Sequence, residues 1–381
     1  MELLNIPVEF YLFGLTLLGV AIFHKHTLLI ALLGLTAVLI LKVGFSEFEI
    51  FDHLKHESSI LLNLFGLLLG FAILAHLFED SNIPQTIPKI LPDNWMGPFM
   101  LLIYIFILSS FLDNIAGALI GGSIALTVFK GKVHIGYLAA IVAASNAGGS
   151  GSVLGDTTTT MMWIDGIHPF KLLKAYVAAI PALLFFSIFA SKQQHKFQPI
   201  LKDNVGKPLI DFRKLFFCFL ILAFAIVANF IVGFPAAGVW AAILIAAFFI
   251  KIQWKEVQKA LPGAIFLISL VLIASMMPVE KLPAASWQTA FSLGFISSVF
   301  DNIPLTKLAL EQGGYDWGML AYCVGFGGSM IWFGSSAGVA ITSMYPEARS
   351  VGKWLKGGWH IIVGYVIGFS ILMLALGWNP G

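Results

Sequence analysis

Asp113-Asn114 and Asp301-Asn302 stand near the centres of two long apolar stretches, about 97–130 and 286–312, and Asp156 lies inside a third, 134–164. A carboxylate at bilayer depth costs at least about 2.5–3.5 kcal/mol on insertion scales, so these three acids are candidates for function. Their chemistry is that of oxygen ligands for a hard cation or of proton carriers. Each Asp-Asn also reads as an N-cap, its carboxylate accepting from the free amides of the helix that follows. Capping and ion binding coexist at a helix tip, where backbone groups are exposed as well.

Around Asp156 the sequence Ser145-Asn146-Ala147-Gly148-Gly149-Ser150-Gly151-Ser152 leads through Gly155 into Thr157-Thr158-Thr159-Thr160. Glycines and hydroxyl residues at this density predict an unwound mid-span segment, tolerated at such depth only where it is buried or lines a cavity. Small-residue helix packing is the plainer reading of the glycines, but it explains neither the acid nor the four threonines. A matching break, Gly325-Phe326-Gly327-Gly328-Ser329 with Gly334-Ser335-Ser336-Ala337-Gly338, carries hydroxyls and no acid, and Ser335 stands where the first half has Asp156. The candidate ion and proton ligands are Asp113, Asn114, Ser145, Asn146, Ser150, Asp156, Thr157 and Thr158, joined by Asp301, Asn302, Ser329, Ser335 and Ser336. Gly149 and Gly328 contribute backbone.

The elements that must position these residues are helices in lipid. Apolar residues make up 59% of the 381 and charged residues 11%, against roughly 25% charged in soluble domains. Apolar stretches near the 20 or so residues needed to cross a bilayer recur along the chain, so the first is read as one span among many and not as a cleaved signal peptide. Full spans are predicted at about 8–23, 26–43, 58–78, 134–164, 169–190, 213–232, 236–250, 261–278, 316–345 and 358–378. Cys218 and Cys323 fall inside apolar spans and read as small core residues. A net charge of +2 gives no footing for nucleic acid.

The two halves repeat. Ser109-Ser110-Phe111-Leu112-Asp113-Asn114-Ile115 returns as Ser297-Ser298-Val299-Phe300-Asp301-Asn302-Ile303, and Gly148-Gly149-Ser150 with Gly155 returns as Gly327-Gly328-Ser329 with Gly334. Glu79-Asp80 and Glu280-Lys281 each read as the end of a third helix. Lys and Arg choose the topology. If each Asp-Asn stretch is a re-entrant hairpin, sixteen of the 22 basic residues fall on one side, Lys202 and Lys207 among them. The expected fold is an all-α polytopic membrane protein of two inverted repeats with five crossings each. Residues 1–190 form the first repeat (hairpin 97–130, broken helix 134–164) and 213–381 the second (hairpin 286–312, broken helix 316–345). The polar segment 191–212 is a cytoplasmic linker, and both termini face outward.

Asn146-Ala-Gly-Gly-Ser150 running into Gly155-Asp156-Thr-Thr-Thr-Thr-Met-Met-Trp163 resembles the signature of NhaD-type sodium/proton antiporters of the ion transporter superfamily. Gly327-Gly-Ser-Met-Ile-Trp-Phe-Gly-Ser-Ser-Ala-Gly-Val339 is similar to that family's second signature, and His76-Leu-Phe-Glu-Asp-Ser-Asn82 to its third-helix end. The similarity covers most of the chain, which looks shorter than typical members and short of peripheral helices. The resemblance implies a bacterial inner-membrane carrier that exchanges Na+ or Li+ for H+, with elevator-like motion, commonly as a homodimer, and with no cofactor. On that reading Na+ sits at Asp113, Asn114, Asn146, Asp156 and Thr157. Desolvation and neighbouring acids raise a carboxylate's pKa, so such a site holds a proton or a cation but not both.

Two other readings compete. Citrate and dicarboxylate carriers share this plan, and a Na+-coupled symporter of a small anionic metabolite would need positive potential at the site; midplane acids oppose it. An intramembrane aspartyl protease would use paired Asp, but Ser152-Val-Leu-Gly-Asp156 lacks the first glycine of its motif, so the chain is not expected to be an enzyme. Among lesser candidates, Glu79 and Asp80 are expected to be solvated. His76 is a packing histidine or a pH sensor. Lys307 is expected to pair with Asp301 or Glu311, and Glu311 to sit at the outer surface.

Overall fold

The computed structural model describes residues 2–3, 6–23, 25–45, 48–201 and 209–381. Apart from a two-residue ladder that pairs Glu2–Leu3 with Ile6–Pro7, its regular structure is helical. The first half holds α1 (Val8–Ile22), α2 (Thr27–Phe45), α3 (Ile50–Glu79), α4 (Ile83–Ile90), α5 (Met96–Ser109), α6 (Asn114–Val128), α7 (Ile135–Gly149), α8 (Thr157–Ile164), α9 (Pro169–Leu173) and α10 (Ala175–Phe197). The second holds α11 (Phe212–Val232), α12 (Pro235–Ala247), α13 (Lys255–Ser275), α14 (Trp287–Ser297), α15 (Asn302–Gln312), α16 (Trp317–Gly327), α17 (Ser336–Met344), α18 (Val351–Gly357) and α19 (Trp359–Leu376).

Among the described residues, six helices are long and apolar enough to cross a membrane: α2, α3, the run Pro169–Phe197, α11, α13 and α19. Shorter apolar helices, α5 to α7, α12 and α16 among them, fill the interior. Large apolar side chains such as Phe230, Phe248 and Leu374 remain exposed on the outward faces, as a lipid-facing surface requires. The chain is a multi-pass membrane protein.

Two groups of helices are packed together. One includes α1, α2, α3, α11, α12 and α13; the other includes α4, α5, α6, α7, α9, α10, α14, α16, α17, α18 and α19. Between them lie α8 and α15, which touch each other, while α8 also packs on α3 and α15 on α13.

Several expected boundaries move, for local reasons. The third helix begins at Ile50 instead of 58, because the polar stretch before the apolar run contains strong helix formers; this brings Glu57 onto α3. α10 continues to Phe197 with His195 and Lys196 in its last turn, where basic groups suit the helix C-terminus. Asp211 caps α11 through the amides of Arg213 and Lys214. The expected linker 191–212 therefore shortens to 198–211, and Lys202 and Lys207 lie outside the described residues. Glu280-Lys281 does not end a third helix: α13 stops at Ser275, and the pair sits in a separate 3-10 turn after Pro278, which cannot continue a helix.

The unwound segments are shorter than expected. Ser145 to Gly149 are helical, and the break runs from Ser150 to Asp156; in the second half it runs from Gly328 to Ser335. Several of these glycines serve close backbone approach instead. A Cβ on Gly148 would strike the Phe106 carbonyl, one on Gly155 the Ser109 carbonyl, and one on Gly334 the Ser298 carbonyl. The glycines thus press the breaks against the helices that precede each Asp-Asn. Gly148→Ala is expected to cost about 1–3 kcal/mol, as overpacking against immovable backbone does, read as a lowered melting temperature of the detergent-purified protein.

Candidate ion-binding site

Every helix tip at the centre of the molecule is capped by one of the predicted residues. Asp113 accepts from the Ile115 amide at 3.1 Å, Asp156 from Thr158 at 2.8 Å and Asp301 from Ile303 at 3.0 Å. Ser335 takes the corresponding place on α17, accepting from the Gly338 amide at 3.3 Å. The capping reading is therefore realised, and it occupies only part of each carboxylate.

What remains of those acceptors is joined into a buried network. The Asn114 amide donates to Asn146 Oδ1 and to Asp156 Oδ2, both at 3.0 Å. The Asn146 amide in turn donates to the Ser329 hydroxyl at 2.9 Å and the Ser335 hydroxyl at 3.1 Å. Asp156 Oδ1 also accepts the Thr158 hydroxyl at 2.9 Å. Asn146 is fully buried and Asp156 is 1% exposed. Asn146 thus ties α6 to the segment between α16 and α17. Ser145 donates to the Asn114 carbonyl and lies 3.2 Å from the Ser109 hydroxyl, holding α6 against α7. Asp113 and Asp301 both act electrostatically on Asp156, and the Thr157 hydroxyl interacts with Asp113. Among the described residues, no group of three or more His, Cys, Asp or Glu forms a metal centre. The oxygen set offers amide, hydroxyl and carboxylate ligands in the mixture that suits an alkali cation.

Not every predicted residue joins. Ser150 bonds back to the Ala147 carbonyl, and Gly149 packs on Gly155 while Gly328 packs on Gly334. Asp301 meets the Ser336 hydroxyl at 3.4 Å. Asn302 is 3% exposed, and its side-chain amide nitrogen has no hydrogen-bond partner. The two halves are therefore not equivalent: Ser329 and Ser335, which match Ser150 and Asp156 in sequence, accept from Asn146, and Gly325 stands where the first half has Asn146. The last two threonines of the run secure the loop, Thr159 on the Ser152 carbonyl at 2.6 Å and Thr160 on the Val153 carbonyl at 2.8 Å.

A cavity of about 690 Å³ lies between α3 and α13 on one side and α6 and α17 on the other. Asp113, Ser336, His76, Glu79, Glu256 and Lys259 are among the residues that line it. His76 is neither fully buried nor free: its side chain is 28% exposed and 3.6 Å from Asp80. Glu79 is exposed as expected, whereas Asp80 pairs with Lys214 at 2.9 Å.

Sequence reasoning missed three contributors. Tyr176 donates to the Gly148 carbonyl at 2.9 Å and Trp354 to the Ser329 carbonyl at 3.2 Å; single aromatic residues carry no motif that would flag them. Glu57 lay in a stretch read as loop. It pairs with Lys307 at 2.8 Å, and Lys307 also pairs with Glu311 at 2.5 Å and not with Asp301. Glu311 is an exposed residue, its side chain 30% accessible.

The chain is 26% identical to "Sodium/proton antiporter 1" of Arabidopsis thaliana over 353 residues, 78% of this chain, and spans 59% of that relative's length. It is 23% identical to "Na(+)/H(+) antiporter NhaD" of Alkalimonas amylolytica over 326 residues, 70% of this chain and 66% of the relative. The NhaD of Vibrio cholerae is 24% identical over 327 residues, 71% and 68% respectively. The family model described as "Citrate transporter" (CitMHS) matches residues 15–327. That match covers most of the chain, which therefore belongs to the citrate transporter (CitMHS) family, a family of transporters and not of enzymes, with NhaD-type proteins among its relatives.

Proposed function

We propose that the protein is a secondary transporter that exchanges cytoplasmic Na+ or Li+ for external H+ at the Asp113–Asp156 site. The observation that carries this reading is the buried link from Asp156 through Asn114 and Asn146 to Ser329 and Ser335. It gathers cation ligands from both halves, next to the cavity that Asp113 and Ser336 line. A carboxylate there accepts a proton or a cation and not both, so one site serves two ions in turn. Asp113 and Asp156 are the competing acids; Asn114, Asn146, Thr157 and Thr158 complete the cation's oxygen shell, and Asp301, Asn302, Ser329, Ser335 and Ser336 support it from the second half.

On this reading the halves are inverted repeats, 1–190 and 213–381, joined by a cytoplasmic linker in an inner membrane, with both termini outside. Residues 97–130 and 286–312 are hairpins that enter from opposite faces. The cavity, whose walls carry Glu79, Glu256 and Lys259, is the cytoplasmic entrance. The names of the antiporter relatives support the sodium reading, and the homodimer implied by the resemblance belongs to the same proposal. A citrate or dicarboxylate symporter, which the family's name brings in, would have to admit an anion past Glu79, Glu256 and Asp113.

The test is dequenching of a pH-sensitive dye in everted vesicles with an imposed proton gradient. Na+ or Li+ is expected to restore fluorescence, and K+ or citrate to leave it unchanged. No cation response, together with Na+-dependent uptake of labelled citrate, would replace antiport with anion symport.

A further inference from the structure

Lys307, Glu57 and Glu311 form an ion cluster, buried at its Lys307–Glu57 end, that the exchange described above does not use. Lys307 on α15 is 1% exposed, and the side chain of its partner Glu57 on α3 is 3% exposed; Glu311, one helical turn beyond Lys307, completes it. Asp165, just after α8, and His53 on α3 lie within electrostatic reach. Below the cluster, Leu64, Met161, Leu267, Val271 and Ile303 form a small apolar core that joins α3, α8, α13 and α15.

A buried ion pair is a poor source of stability, since desolvation offsets attraction; its best-attested use is to fix register. α15 needs such a device. It is an 11-residue helix held largely by apolar contacts, and apolar surfaces in a membrane provide weak axial preference. A slip of one residue moves a helix by about 1.5 Å along its axis. The same slip would separate Lys307 from Glu57 and leave charge unpaired. At the start of this helix stand Asp301, its cap, and Asn302.

We infer that the Glu57–Lys307–Glu311 cluster is a register lock that holds α15 at one depth against α3, making Glu57 and Lys307 positioning residues for Asp301 and Asn302. The inference rests on reading those two residues as part of an ion site. The variants are Glu57→Gln, Lys307→Met and the charge swap Glu57→Lys/Lys307→Glu, in full-length protein in everted vesicles. Each also carries Thr306→Cys on α15, with Cys218→Ser and Cys323→Ser, so that N-ethylmaleimide reads the exposure of the helix without any transport.

Both single variants are expected to raise the half-saturating Na+ concentration about tenfold, as misplaced ligands do, with a smaller change in maximal rate and with faster labelling of position 306. The swap is expected to restore both to within about threefold. Single variants with unchanged half-saturation and labelling would overturn the lock, as would a swap no better than the singles. If Lys307→Met fails to accumulate in the membrane, Glu57→Gln decides alone, since Lys307 keeps Glu311. If the unmodified protein moves no protons on adding Na+, the antiport reading falls. Labelling then judges the lock by itself: faster in Glu57→Gln and recovered in the swap supports it, and no change overturns it.

Discussion

Asp156→Asn is expected to abolish Na+-driven proton movement in everted vesicles while leaving the protein folded and inserted. The substitution keeps the size of the side chain, and Asn caps a helix about as well as Asp, so the Thr158 amide keeps its acceptor and α8 its start. The other carboxylate oxygen becomes an NH2, so the Asn114 amide loses that acceptor and keeps its bond to Asn146 Oδ1. What is lost is the negative charge, and with it both the proton site and the strongest ligand for the cation. Removing one member of a buried, hydrogen-bonded charge interaction costs about 2–5 kcal/mol, or about 30-fold to several-thousand-fold in affinity. Asp113→Asn, which caps α6 in the same way, is expected to behave alike. The measurement is dye dequenching at matched membrane protein, with retention on size-exclusion chromatography as the control for folding. Robust exchange in either variant would remove that acid from the site.

The second large effect concerns Asn146. Its amide is the only described side chain that hydrogen-bonds both to α6, through Asn114, and to the segment between α16 and α17, through Ser329 and Ser335. Asn146→Leu fills a similar volume but leaves Asn114 and two buried hydroxyls short of a partner. Each such orphan costs about 1–3 kcal/mol, so a clear fall in melting temperature and a loss of exchange of about tenfold or more are expected together. Asn146→Asp separates the two effects. A carboxylate can accept from Asn114 and from both hydroxyls, so the fold is expected to recover its stability. The added charge beside Asp156 is expected to change the preference between Na+ and Li+ or the pH range of exchange. If Asn146→Leu exchanged normally, the bridge would be packing and not part of the ion path.

How far each of these residues could be placed from sequence depended on what surrounded it. Asp113, Asp156 and Asp301 were legible because an acid inside an apolar run has few benign explanations. The glycines were harder. Their density predicted unwinding from Ser145 onward, but Gly148 and Gly149 remain helical and are small because the backbones of Phe106 and Gly155 lie against them. A missing Cβ permits both a break and a close approach, and only the neighbour reveals which. Glu57 and Lys307 show the opposite failure. One lay in a polar stretch and the other in the apolar stretch 286–312, 250 positions apart, and nothing local in either stretch announces a partner so distant.

The amino-acid sequence by itself determined that this chain lives in lipid, that its helices are interrupted at Asp-Asn and glycine-rich points, and which side chains could hold a cation. Those properties follow from local chemistry: hydropathy over a span, the capping power of Asp, the conformational freedom of glycine. The tertiary structure alone decided which candidates meet. It joined Asn146 to Ser329 and Ser335 while leaving the Asn302 amide without a partner, and it paired Glu57 with Lys307. Hydrogen bonds and ion pairs act over about 3 Å, so a repeat in sequence can reproduce the ligands of a site without reproducing their contacts.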